Sequence, residues 1–227
     1  MMHSRWRGFG IAACAIVLAL LGAHAGAQLA PPAAPFEADI QHFETDDRAH
    51  PPAAGGIVFV GSSSIRMWTS LAADFPDKNV LNRGFGGSTI ADAARYAGRI
   101  VTNYRPRQIV LYAGDNDVAA GASAQQVLAD FKAFVEAVRR DLPRVPIVFI
   151  SIKPSPARAN LLATTRSANQ LIEAYAQQQK NIRYLDVFTP MLGADGQLRA
   201  DLFGPDRLHM SRAGYALWID VIRPALR

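Results

Sequence analysis

Apolar residues in this chain fall in short runs separated by amphipathic stretches. Ile57-Val58-Phe59-Val60 is of strand length, β-branched and aromatic, as a parallel strand covered on both faces requires. Segments at Asn79 to Arg83, Gln108 to Ala113, Val145 to Ser151 and Ile182 to Val187 complete a set of five predicted strands. Between them the apolar positions recur at helical spacing. Phe36, Ile40 and Phe43 predict a helix from Phe36 to about Arg48, ended by the His50-Pro51-Pro52 breaker; Ser64 to Leu71 predicts a short one and Ser88 to about Tyr104 another. Ser123-Ala124-Gln125-Gln126 reads as a capping box in its glutamine form. It opens a helix with Val127, Phe131, Phe134, Val135, Val138 and Leu142 on one face, stopped by Pro143. A long helix from about Arg158 to Gln179 packs through Leu161, Leu162, Leu171, Ile172 and Tyr175. A last one, capped by Ser211, carries Tyr215, Trp218, Val221 and Ile222, and residues 188 to 210 have no regular period.

Strands alternating with helices imply a parallel sheet with helices on both faces, since each right-handed crossover needs a helix to return the chain. The predicted fold class is therefore α/β, a three-layer α/β/α architecture around a five-stranded parallel sheet. Ligands of such sheets bind beyond the carboxyl ends of the strands. Polar segments follow three strands there: Gly61-Ser62-Ser63-Ser64, Gly84-Phe85-Gly86-Gly87-Ser88 and Gly114-Asp115-Asn116-Asp117. Lys153-Pro154-Ser155-Pro156 closes the fourth strand.

The chain has 227 residues, 50% hydrophobic and 19% charged, which suits one globular domain. Arg5 and Arg7 precede an apolar stretch from Phe9 to Gly22, followed by Ala23, Ala25 and Ala27. This is the pattern of a signal peptide over residues 1–27, cleaved after Ala25 or Ala27, and it implies a periplasmic or secreted protein. The apolar run is shorter than the roughly 18 residues of a spanning helix, so no stable membrane span is expected after cleavage. Residues 28–35 form a proline-rich linker, and residues 36–227 the folded domain. Cys14 is the only cysteine and falls inside the leader, where the hydrophobic run continues past it, against lipidation. The mature chain then has no disulfide, cysteine nucleophile or thiolate metal site. Net charge is +5, and removal of the two leader arginines leaves +3. The remaining arginines are scattered, with no basic stripe among aromatics, so no nucleic-acid partner is expected.

The residue types at the sheet edge suit one chemistry. Nucleophilic catalysis by serine needs an imidazole to take its proton, a carboxylate to hold the imidazole and donors for the oxyanion. Asp206-Arg207-Leu208-His209 places the carboxylate three residues before the imidazole, on a loop entering a helix. Alone, that spacing more often describes an aspartate capping a turn with a histidine packed beside it; the company of the other loops reverses the preference to the catalytic reading. The glycines at 84, 86 and 87 serve either as a tight turn or, at Gly87, as an exposed N–H at a helix start. Asn116 offers an amide NH2, or is a turn residue between Asp115 and Asp117. Trp68, Trp218 and Phe85 read as packing, and His42 and His50 as surface. Arg66 and Arg83 lie near the expected crevice without an assigned role. No H-E-x-x-H or paired-carboxylate spacing occurs, and neither metal nor cofactor is expected.

Taken together, these segments resemble the SGNH (GDSL-type) hydrolase family, named for a serine, a glycine, an asparagine and a histidine on separate blocks. Phe59-Val60-Gly61-Ser62-Ser63-Ser64-Ile65 resembles the first block, with Ser63 as nucleophile. Asn82 to Thr89 is similar to the second, with Gly87 as oxyanion glycine; Gly114 to Asp117 matches the third at Asn116, and Asp206 to His209 the fifth. Ser62 departs from the pattern, standing where members commonly have aspartate. The order Ser, Asp, His is also that of α/β-hydrolases, but their G-x-S-x-G would need glycine where this chain has Ile65. The resemblance implies a flavodoxin-like sheet and metal-free hydrolysis by Ser63, Gly87, Asn116, Asp206 and His209. Expected substrates are small acyl esters, O-acetylated carbohydrates or lysophospholipids. Two rival readings are a flavodoxin-like module cradling a phosphate in its serine loop, which leaves Asp206 and His209 unexplained, and a catalytically silent envelope protein.

Overall fold

The computed structural model describes residues 34–227. The expected signal peptide and the linker up to residue 33 lie outside the described residues. Strands β1 (Ile57–Gly61), β2 (Val80–Gly84), β3 (Gln108–Tyr112), β4 (Ile147–Ile150) and β5 (Ile182–Leu185) form one parallel sheet in the order β2-β1-β3-β4-β5. Gly61 pairs with Gly84 on one side and Tyr112 on the other, so three strands finish level at one edge. The order reverses between β1 and β3, and connections that diverge there leave a crevice at the carboxyl edge.

Side chains alternate across each strand, and the central strands β1, β3 and β4 are buried on both faces and almost wholly apolar, whereas the edge strands β2 and β5 carry Asn82, Arg83 and Arg183 and are only partly buried. Val58, Val60, Ile109, Leu111, Ile147 and Phe149 enter one core with α1 (Glu37–Ala49), α4 (Ile90–Ile100), α6 (Ala124–Asp141) and α7 (Leu162–Gln177). Ile57, Phe59, Val110, Tyr112, Val148 and Ile150 enter the other with α2 (Ser63–Arg66), α3 (Leu71–Asp74) and α8 (Arg212–Ile222). Trp68, Phe85 and Trp218 are fully buried, as packing residues should be.

Several expected helices are shorter or divided, each for a local reason. The single helix expected from Ser64 to Leu71 is two turns, α2 and α3; between them the Ile65 and Trp68 carbonyls accept i+3 rather than i+4 bonds, from Trp68 and Leu71 N–H, and also accept from Asn82 Nδ2 (2.7 and 3.4 Å). The helix expected from Ser88 begins after Thr89, which forms a reciprocal capping box with Asp92, and gives way after Ile100 to a 3-10 turn at Thr102–Tyr104. Ser123 Oγ does accept from the Gln126 amide at 3.2 Å. The Gln126 side chain, however, donates to Asp130, so only half of that box forms. A 3-10 segment, Pro156–Leu161, replaces the first turns of the expected 158–179 helix.

The second core also fixes the last loop. Asp74 is almost fully buried and accepts from Trp68 Nε1 (2.7 Å), Ser70 Oγ (2.7 Å) and both terminal nitrogens of Arg212 (2.7 and 2.6 Å), which holds its carboxyl far below the usual carboxylate range. Arg212 opens α8, three residues beyond His209. Tyr215 Oη donates to the Ser64 carbonyl at 2.9 Å, tying α8 to the serine turn as well.

Candidate active site

Three adjacent hydroxyls follow β1, and the backbone separates them. Gly61 has φ +137°, and a Cβ there would lie 1.8 Å from the Tyr112 carbonyl oxygen, so glycine is required for the turn. Ser62 then acts through its backbone: its N–H donates to Tyr112 O (3.0 Å), and its carbonyl accepts from Ile65 and Arg66. Ser62 and Ser64 are buried, whereas Ser63, the first residue of α2, is partly exposed. Its N–H lies in the first helical turn, where no intrahelical acceptor exists. Ser63 Oγ lies 3.0 Å from His209 Nε2.

His209 Nδ1 lies 2.6 Å from Asp206 Oδ2, and Asp206 Oδ1 accepts from the backbone amides of Leu208 and His209 at 3.0 Å each. The His209 side chain first, then those two amides, draw the Asp206 carboxyl down to a pKa of about 2. A carboxylate only accepts, so it selects the tautomer with hydrogen on Nδ1 and leaves the Nε2 lone pair facing the Ser63 hydroxyl. The loop is fixed at both sides: Gly204 N–H donates to His209 O (2.7 Å), and Ala157 N–H donates to Arg207 O (3.0 Å).

On the opposite wall stand Gly87 and Asn116. Gly87 has φ +84°, and a Cβ there would meet only the Phe36 ring, at 3.9 Å. It belongs to a turn rather than to a helix start, because α4 begins three residues later behind the Thr89 cap. The expected loop at Asp115 to Asp117 is the first turn of a short helix, α5 (Asp115–Ala119), which follows Gly114 directly. Asn116 Nδ2 donates to Ser88 O at 3.0 Å, and its Oδ1 accepts from Arg158 Nη2 at 3.0 Å. Ser63, Gly87, Asn116 and His209 line one cavity of about 430 Å3. A cavity of about 450 Å3 beside Arg139, Tyr175 and Gln178 is of similar size but has no nucleophile paired with a base. Thus Ser63, Gly87, Asn116 and His209 meet at one cavity and Asp206 stands behind His209, bringing together the types of group that acyl transfer by a serine requires.

Sequence reasoning left out part of this neighbourhood. Asp115 is buried and lies 2.7 Å from Lys153 Nζ and 2.6 Å from Arg158 Nη1. Burial pushes the Asp115 carboxyl up, but the two cations outweigh it and hold the group ionised below its ordinary value. Asp39 of α1 reaches the cavity, as does Arg66, whose Nε lies 2.6 Å from where a Gly86 Cβ would stand. Arg83 does not meet the crevice; it is buried under α1 against Asp47 and Tyr104. Charged residues directly after apolar strands, Lys153 after β4 and Asp115 after β3, were the available signal. Neighbouring parallel strands must bring such residues to one edge. Among the described residues, no group of three His, Cys, Asp or Glu side chains is placed to hold a metal ion, and no helix is long and apolar enough to cross a membrane.

A five-stranded parallel sheet in this order, flanked by helices, is the α/β fold of SGNH-type hydrolases. The model of the GDSL-like Lipase/Acylhydrolase family matches residues 60–217, and the chain belongs to that family, which makes it a hydrolase. It is 28% identical over 168 residues to the platelet-activating factor acetylhydrolase IB subunit alpha1 of Bos taurus, covering 70% of this chain and 69% of that one. Among solved structures, a GDSL-like lipase from Bacteroides thetaiotaomicron superimposes with a TM-score of 0.70 at 22% identity, covering 83% of this chain and 97% of that one. A carbohydrate esterase family 3 structure from Talaromyces cellulolyticus superimposes with a TM-score of 0.58 at 21% identity, covering 75% and 95%.

Proposed function

We propose that the protein is an exported serine ester hydrolase that cleaves small acyl esters through an acyl-enzyme. The observation that carries this reading is the continuous line Ser63 Oγ, His209 Nε2, His209 Nδ1, Asp206 Oδ2, with gaps of 3.0 and 2.6 Å. Ser63 Oγ attacks the acyl carbonyl as its proton passes to His209 Nε2, and Asp206 stabilises the imidazolium that forms. The oxyanion takes hydrogen bonds from the Ser63 and Gly87 amides and from Asn116 Nδ2. Collapse of the tetrahedral adduct breaks the ester C–O bond, and His209 returns the proton to the leaving alkoxide. Water then attacks the acyl-Ser63 carbonyl with His209 again as base, releasing the acid and restoring the serine.

Short acyl groups suit the site best. Among the described residues, Leu208 is the only large apolar side chain lining the cavity, against Asp39, Arg66, Asn116 and His209, so the wall offers little to hold a long acyl chain. Relatives described as an acetylhydrolase and a carbohydrate esterase support the same range. Small acetyl esters and O-acetylated carbohydrates therefore come ahead of lysophospholipids. The basic, apolar and small-residue succession over residues 1–27 supports action outside the cytoplasm.

Turnover of p-nitrophenyl acetate by the purified protein tests this reading. Ser63→Ala should lower kcat by about 10⁴-fold or more with the fold retained. A fluorophosphonate should label Ser63 and no other residue. A fully active Ser63→Ala, or a label mapped to Ser62 or Ser64, would overturn it.

A further inference from the structure

The segment after β4 touches both halves of the site. Asn169 holds it at its root, accepting from the Ile152 amide (2.8 Å) and donating to the Ile152 carbonyl (2.9 Å). Lys153, almost wholly buried, donates to Asp115 at 2.7 Å. Ala157 N–H donates to Arg207 O, inside the loop that carries Asp206 and His209. One residue on, Arg158 breaks the 3-10 geometry with φ −124° and ψ 30°, and its side chain lies against α5. Nη1 lies 2.6 Å from Asp115 Oδ1, and Nη2 donates to Asn116 Oδ1 at 3.0 Å.

A carboxamide has two nearly isosteric orientations, and only one is useful beside an oxyanion. With the amide reversed, its oxygen would face the developing negative charge. Two partners here have opposite and fixed roles: the Ser88 carbonyl can only accept, and a guanidinium can only donate. Both are satisfied in one orientation alone, with Nδ2 toward Ser88 and Oδ1 toward Arg158. One N–H of Asn116 goes to Ser88, and the second remains for a ligand in the cavity. Arg158 is in turn held by Asp115, whose other oxygen is occupied by Lys153. We propose that Arg158 is a positioning residue for the oxyanion site, fixing the Asn116 carboxamide with its free N–H toward the reacting carbonyl. The proposal rests on the serine-hydrolase reading above.

Without Arg158 the Ser88 carbonyl still favours the correct orientation, but through one hydrogen bond instead of two. The loss should therefore be smaller than deletion of the donor itself. Arg158→Met is expected to lower kcat on p-nitrophenyl acetate by about 10- to 100-fold, the scale of a misplaced catalytic group, with KM changed by less than about threefold. A purely structural role would lower activity equally in any background. A residue acting through Asn116 should cost little once Asn116 is gone, so adding Arg158→Met to Asn116→Ala should lower kcat by less than about threefold further. If Arg158→Met does not give a native thermal melt, Arg158→Lys carries the same test, since it keeps a charge beside Asp115 and loses the fork that reaches Asn116. Full activity in the single variant, or losses that multiply in the double variant, would overturn the proposal. An inactive wild type or an active Ser63→Ala removes the esterase reading and this proposal with it. An active wild type with a dead Ser63→Ala and an unaffected Arg158 variant removes this proposal alone.

Discussion

Asp117 offers a stability test that is independent of turnover. The residue is 3% exposed; Oδ1 accepts the Ile90 amide at 3.0 Å, while Oδ2 has no hydrogen-bond partner among the described residues. Burial pushes its pKa from 3.8 up to about 6. Below the unfolded value the group is neutral in both states and costs nothing electrostatically. As pH rises, the unfolded chain ionises first, so the folded state is progressively disfavoured until Asp117 also ionises near pH 6. Each unit of separation is worth about 1.4 kcal/mol, so the folded state loses about 3 kcal/mol across that window.

Asp117→Asn keeps an oxygen for the Ile90 amide and removes the charge. Its NH2 takes the place of the unpartnered oxygen and costs about 1–3 kcal/mol at every pH. That cost cancels in a comparison across pH, as do contributions from carboxyls common to both proteins. The stability of the variant relative to wild type should thus improve by about 3 kcal/mol between about pH 3.5 and pH 8. For a domain of this size that is a relative rise in Tm of about 6–12 °C. Urea unfolding followed by tryptophan fluorescence at several pH values measures it. A difference that stays constant within about 0.5 kcal/mol over the whole range would refute the argument that Asp117 is a desolvated carboxylate.

Two substitutions probe the site. Asn116→Ala removes one proposed oxyanion donor and should lower kcat by about 10² to 10³ with the thermal melt preserved; a loss below about threefold would take Asn116 out of the site. Asp206→Asn replaces the acceptor that selects the His209 tautomer, yet its side chain is 51% exposed, so water shares the task. The expected loss in kcat is about 10²-fold, short of the roughly 10⁴-fold for a fully buried triad aspartate, and full activity would leave His209 to its other contacts.

The central strands were legible because a parallel sheet buried on both faces writes itself as near-continuous apolar runs. Ile57 to Val60 and Ile147 to Ile150 alternate between two cores, so every position must be apolar. The grouping of Ser63, Gly87, Asn116, Asp206 and His209 was legible for a related reason: residues placed directly after level strands, or just before a docked helix, have little freedom in where they end. Helix limits were less legible. At the break between α2 and α3 the Ile65 and Trp68 carbonyls are met by Asn82, fourteen residues beyond Trp68, and a contact from another element leaves no periodic trace. Likewise the cap of α4 lies at Thr89 rather than Ser88 because Asp92, not its neighbour, stands three residues on.

The choice among Ser62, Ser63 and Ser64 shows where chemistry becomes a matter of geometry. All three offer the same hydroxyl, and composition cannot rank them. Gly61 at φ +137° swings the chain so that Ser62 spends its backbone on Tyr112 and the start of α2, and Ser64 turns inward, its carbonyl taken by Tyr215. Only Ser63 is left at the edge, 3.0 Å from His209 Nε2. The same reasoning makes the segment after β4 informative. Lys153 and Arg158 look in sequence like two of many scattered cations, yet Asp115 lies between them at an edge where burial leaves an acid no water to turn to. A buried carboxylate flanked by two cations is held rigidly, and rigidity there passes directly to Asn116, its neighbour in the chain and the second partner of Arg158. If Asn116 serves the oxyanion as proposed, its donor is set less by the residue itself than by how few orientations Ser88 and Arg158 allow it.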